Sequence, residues 1–230
     1  MIDFLYSFEE IVSLALQALL VFLLLRGPFQ KYFIVFLYST VYLLTSALEV
    51  AVHWQAGKTT PLYARVYWTN EIILDLLLFL MVILLTYRAT EGSPIRGPVG
   101  KLLIVVVLVA AALPFLIASR PYFSLRWFRM TGQILNFGGA LMNLGLWTAL
   151  IGSKRKDPQL LTVSAGLGVA LTGQAVYYGL RLMTVSPLVR NISDVLNVLT
   201  YLAGVAIWCW AFRPSARERS GPAVSTSFEY

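Results

Sequence analysis

Acids, amides and a single histidine recur at three-, four- and seven-residue spacings inside otherwise apolar runs. Residues so spaced share one face of a helix. One run carries Tyr6, Glu10, Ser13 and Gln17; the next carries Tyr38, Tyr42, Thr45, Glu49 and His53. A third carries Tyr67, Glu71 and Asp75, with Asn70 beside them. Later runs give Arg129, Gln133, Asn136, Asn143 and Trp147, then Gln174, Tyr177 or Tyr178 and Arg181, then Arg190, Asp194, Asn197 and Tyr201. Glu71 and Asp75 stand one helical turn apart, and two acids so close repel unless a cation, a proton or Arg181 lies between them. The chemistry this suggests is the binding of a small polar ligand or cation, with Glu49, His53, Glu71, Asp75, Gln133, Asn136, Gln174, Arg181, Asp194 and Asn197 as candidate site residues. The competing reading is a static ion-pair network of the four acids with Arg181, set near the headgroups where charge costs little. Glu71 with Asp75 is the leading pair and Glu49 with His53 the next, although a lone histidine at a helix end is more often interfacial than a ligand.

Catalysis finds little support. His53 is the sole imidazole, no Gly-x-Ser-x-Gly occurs, and Cys209 is the one cysteine, so no internal disulfide or cysteine metal cage forms. A retinal Schiff base needs a lysine inside the seventh run, and none is there. No catalytic residue, metal or cofactor is expected, although an all-carboxylate metal site stays open.

The elements that position these side chains are long. A bilayer core needs roughly 20 helical residues, and seven runs qualify: Asp3–Leu25, Tyr32–His53, Tyr67–Tyr87, Lys101–Ser119, Trp127–Ile151, Gln159–Met183 and Asn191–Phe212. Gly27-Pro28, Gly57 with Pro61, the 92–100 stretch, Pro121, Asp157-Pro158 and Pro187 fall between them. Hydrophobic residues make up 58% of the 230 and charged residues 13%, about half the charged share of a soluble domain. The expected fold is an all-α bundle of seven transmembrane helices over residues 1–213, with 214–230 as a disordered cytoplasmic tail. The acidic first residues argue against a cleavable signal peptide.

Lysine and arginine set the orientation. With the N-terminus outside, eleven of the 18 fall in cytoplasmic segments and seven in outer ones, which favours N-out and C-in. The net charge of +7 flanks apolar runs, which suits anionic lipid headgroups and excludes a nucleic-acid stripe. The fourth run, KLLIVVVLVAAALPFLIA, has no polar face after Lys101 and belongs at the periphery against lipid. The other six then enclose an interior that is polar in its outer half and apolar below, an outward-facing cavity with an apolar floor. Tyr63, Tyr67, Trp68, Tyr122, Trp127, Trp208 and Trp210 read as interfacial anchors. Ser164, Gly168 and Thr172 on one helix, and Gly138, Gly139 and Gly145 on another, read as points of close helix approach.

In layout the chain resembles the seven-helix sensor regions of bacterial membrane histidine kinases. Stretches such as YARVYWTNEIILDLLLFL and LTGQAVYYGLRL also look like uncharacterised bacterial seven-helix membrane proteins. The resemblance covers residues 1–213 and implies fold and location, a bacterial inner membrane, with no kinase domain attached. The expected function is a sensory or receptor-like module whose signalling needs a separate cytoplasmic partner. The alternative is a proton- or cation-coupled small-solute transporter using the same cavity, built as three helices, a connecting helix and three more.

Overall fold

A computed structural model of the chain describes residues 2–27, 29–57, 60–91, 93–117, 123–152, 157–183 and 186–213, with side chains described from residue 11 onward. Among the described residues every regular element is an α-helix: α1 Ile2–Arg26, α2 Phe33–Ala56, α3 Pro61–Ala89, α4 Arg96–Ile117, α5 Leu125–Gly152, α6 Pro158–Met183 and α7 Pro187–Ala211. Six of them, α2 to α7, are long and apolar enough to cross a bilayer. The described apolar stretch of α1, Ile11–Arg26, is shorter. Length and composition together make this a helical multipass membrane protein. The tail 214–230 lies outside the described residues, as do the side chains of Tyr6 and Glu10.

Two prolines that the sequence reading places in connections instead open helices. Pro61 begins α3 ahead of the expected Tyr67, and Pro187 begins α7 ahead of Asn191. Proline suits a first turn, whose N–H groups have no intrahelical partner anyway. Pro158, also placed in a connection, opens α6 one residue ahead of the expected Gln159. Thr60 caps α3, its Oγ1 accepting from the Tyr63 N–H at 3.3 Å. Asp157 caps α6, its Oδ1 accepting from the N–H groups of Gln159 at 3.1 Å and Leu160 at 3.0 Å. Its other oxygen accepts from Lys31 Nζ at 3.1 Å, tying the start of α6 to the α1–α2 connection.

Packing follows a ring: α1 against α2, α2 against α3, α3 against α5, α5 against α6, α6 against α7, and α7 back onto α1. α4 stands outside that ring, packing among the described residues only on α3 and α5. Its Ile104, Val105, Leu108 and Val109 are exposed, a surface suited to acyl chains. The most extensive interface joins α6 to α7, where glycines bring the backbones together. A Cβ placed on Gly166 would lie 2.7 Å from the Gly204 carbonyl oxygen. Beside them Trp208 Nε1 donates to the Val163 carbonyl at 2.9 Å. Thr200 occupies the space over Gly173 in the same seam.

The apolar core sits at the end of the bundle where α1, α3, α5 and α7 finish. Leu24, Met81, Val82, Leu150, Val205 and Trp208 meet Val35, Leu160 and Leu167 from the starts of α2 and α6. Tyr32 closes this end: its ring packs on Phe212 at 5.0 Å and lies under the Arg88 guanidinium, which donates to the Lys31 carbonyl.

Candidate ligand-binding site

The opposite end, where α3 and α7 begin and α6 finishes, collects the polar side chains. Three helices meet there around a cavity of about 30 Å³. From α3 come Tyr67, Trp68 and Glu71; from α6, Gln174, Tyr177 and Tyr178; from α7, Asn197. The helical period explains the α3 contribution, since Tyr67 and Glu71 are one turn apart on a single face and Trp68 flanks it. The Tyr67 hydroxyl reaches the Glu71 carboxylate. Among the described residues no donor meets Gln174 Oε1 or Asn197 Oδ1, although both atoms are shut off from the surface. The wall therefore holds one carboxylate, two amide side chains and four aromatic rings, three of which carry hydroxyls.

Asp75 lies one turn farther into the bundle, wholly buried. Its Oδ2 accepts from the Tyr178 hydroxyl at 3.2 Å, so Tyr178 separates it from the cavity and touches both. Asn136 lies beside the same carboxyl, its Nδ2 donating to the Gly132 carbonyl at 2.9 Å. Gly132 makes room for this arrangement: a Cβ there would come within 2.7 Å of Tyr178 Cζ and 2.8 Å of Asp75 Oδ2. Among the described residues Asp75 makes no ion pair, and its Oδ1 has no hydrogen-bond partner. A buried carboxyl with so little support is costly inside a membrane.

Arg181 and Asp194 pair with each other across α6 and α7, at 2.5 Å and partly buried. The Arg181 guanidinium also lies over the Tyr177 ring, 5.2 Å from its centroid, so a charged pair abuts one wall of the cavity. Gln133 faces α6 at Gly179, where its amide would be 3.6 Å from an added Cβ. Glu49 sits on the α2–α3 seam, its Oε1 accepting from Asn70 Nδ2 at 2.9 Å. His53 meets the Tyr63 ring edge-on at 6.1 Å, farther toward the end of α2. Of the ten candidates, Glu71, Gln174 and Asn197 line the cavity, and Asp75, Asn136, Arg181 and Asp194 lie around it. Glu49 and His53 lie on the α2–α3 seam, with Glu49 close enough to Tyr67 of the cavity wall to act on its hydroxyl electrostatically.

A polar layer separates the cavity from the apolar core. Gln17 Nε2 donates to the Tyr201 hydroxyl at 2.7 Å, and the Tyr42 hydroxyl donates to Ser13 Oγ at 3.1 Å. The Tyr42 and Tyr201 rings stack at 5.5 Å, so α1, α2 and α7 are joined by one cluster.

Sequence reasoning assigns Trp68 to the headgroup belt, whereas the structure turns it into the cavity wall, with the Arg129 guanidinium 5.6 Å from its ring centroid. Gly132 carries no signal of its own in the sequence. Its place one turn before Asn136 gains meaning only once Tyr178 is seen to cross it. Among the described residues no cluster of three or more His, Cys, Asp or Glu is placed to hold a metal ion. No protein-family model, curated protein or solved structure matches the chain.

Proposed function

We propose that the protein is a receptor-like membrane module that holds a small polar ligand or cation in the cavity between α3, α6 and α7. One observation carries this reading: Glu71 shares a cavity of about 30 Å³ with the side chains of Gln174 and Asn197, whose buried carbonyl oxygens meet no donor among the described residues. Unsatisfied buried acceptors cost about 1–3 kcal/mol each, and a guest that supplies donors or positive charge removes that cost. Pockets between bundle helices are common places for such guests. With the N-terminus outside, the cavity opens to the exterior of a bacterial inner membrane. The basic opposite face would then meet a signalling partner, and occupancy would bias helix packing between two states. A thermal-unfolding screen of the detergent-purified protein against small cations and polar solutes tests this. A saturable rise in Tm that E71Q abolishes supports the reading; no rise with any probe removes it.

Coupled transport is the second reading, and Asp75 favours it. A buried acid one turn beyond Glu71, joined to the cavity through Tyr178, is the kind of group that marks ion and proton pathways. Proteoliposome flux separates the two, because a receptor moves no solute.

A further inference from the structure

We infer that the guest is the ammonium head of a small primary amine, with Glu71 supplying the compensating charge. The inference rests on the receptor reading above and names the chemistry its cavity selects. The first argument is a match of donors to acceptors. A primary ammonium carries three N–H donors and no acceptor. The wall offers the Glu71 carboxylate and the amide side chains of Gln174 and Asn197, whose carbonyl oxygens meet no donor among the described residues. A carboxylate or phosphate guest would set like charge against Glu71. A neutral alcohol brings one donor and leaves the rest of the wall unmet.

The second argument is the aromatic lining. Tyr67, Trp68, Tyr177 and Tyr178 surround the carboxylate. Ring faces attract cations, by about 2 kcal/mol or more where water is excluded. A single carboxylate balances a divalent ion poorly. Tyr177 already bears the Arg181 guanidinium at 5.2 Å, so this wall has one cation on its ring in the structure itself.

Size gives the third argument. One water-sized atom needs roughly 10–15 Å³ measured in this way, so about 30 Å³ admits the nitrogen and one carbon. A fully alkylated ammonium has neither the room nor the N–H groups to use these acceptors.

The test uses the full-length protein purified in detergent, with Tm followed against methylammonium, tetramethylammonium and sodium chlorides at equal ionic strength, and against methanol. Methylammonium is expected to stabilise saturably, tetramethylammonium and methanol not at all, and sodium no more than ionic strength explains. E71Q should weaken the apparent methylammonium affinity at least tenfold. If E71Q does not fold, Q174L, on the facing helix, should weaken it several-fold. Saturable stabilisation by sodium or methanol alone, lost in E71Q, would overturn the amine while leaving the receptor reading intact. Silence with every probe removes both.

Discussion

The Tyr178 hydroxyl donates to Asp75 Oδ2 at 3.2 Å across the α3–α6 contact, joining two residues 103 positions apart in the chain. Tyr178 also lines the cavity, so this hydrogen bond is the link between the ligand-facing surface and a wholly buried acid.

Removing that hydroxyl should be costly. Tyr178→Phe leaves the Asp75 carboxyl without its hydroxyl donor, and the expected loss of stability is about 1–3 kcal/mol. In a double-mutant cycle with Asp75→Ala, the two changes should couple by at least about 0.5 kcal/mol. Strict additivity in thermal or denaturant unfolding would show that the bond contributes nothing.

Gly132→Ala tests the space that lets the pair form. The added methyl would lie 2.7 Å from the Tyr178 ring and 2.8 Å from the Asp75 oxygen, so one of them must shift. Overpacking of this kind costs about 1–3 kcal/mol. On the same helix Gly145→Ala meets open space and should stabilise by up to about 1 kcal/mol through helix propensity alone. Equal Tm values for the two variants would contradict the packing described.

At the α6–α7 seam, Gly166→Ala would set a methyl 2.7 Å from the Gly204 carbonyl oxygen and from Trp208 Nε1. The helices must separate, and the hydrogen bond from Trp208 to Val163 should break with them. A Tm drop matched by a changed Trp208 fluorescence, read with Trp208→Phe as reference, checks this; Gly97→Ala, where nothing lies within 4 Å, should neither lower Tm nor alter that fluorescence.

The Asp157 cap predicts an acid dependence. Burial pushes this carboxyl up, but hydrogen bonds from Leu160 and Gln159 and the Lys31 ammonium outweigh it and hold it below the usual carboxylate value. A carboxyl depressed in the folded state stabilises above its unfolded value, near 3.9, and loses that contribution as pH falls through the folded value. Asp157→Ala should therefore cost about 1 kcal/mol at neutral pH through the lost cap, with less from the half-exposed Lys31 pair. The gap between variant and wild type should shrink below about pH 4. A gap that widens in acid would contradict the assignment.

The spans were legible because nothing but a bilayer explains such apolar lengths, and Glu71, Gln174 and Asn197 were legible because their polar stripes had to face inward. Helix starts were harder to read, since proline signals both a connection and a first turn. At Pro61 and Pro187 the sequence does not say which. The stripe of Glu49 and His53 looked like part of the same interior. Yet among the described residues α2 meets α1, α3 and, through its tyrosines, α7, but not α6, so its acid meets Asn70 and its histidine meets Tyr63. Which stripes converge depends on helix neighbours, and spacing within one helix carries no information about them. Trp68 illustrates the same limit, because interfacial anchors and cavity walls draw on the same residue type.

The glycine-locked pair of α6 and α7 has a mechanical consequence for the slight seam where α3 meets α6. Prising the pair apart would expose backbone carbonyls that now sit against each other, whereas moving α3 away from α6 disturbs, among the described residues, the cavity's aromatic wall and the link from Tyr178 to Asp75. A guest wedged into the cavity should therefore rock α3 against a two-helix strut. Spin labels across α3 and α6 would report its arrival, and labels across α6 and α7 would hold their separation.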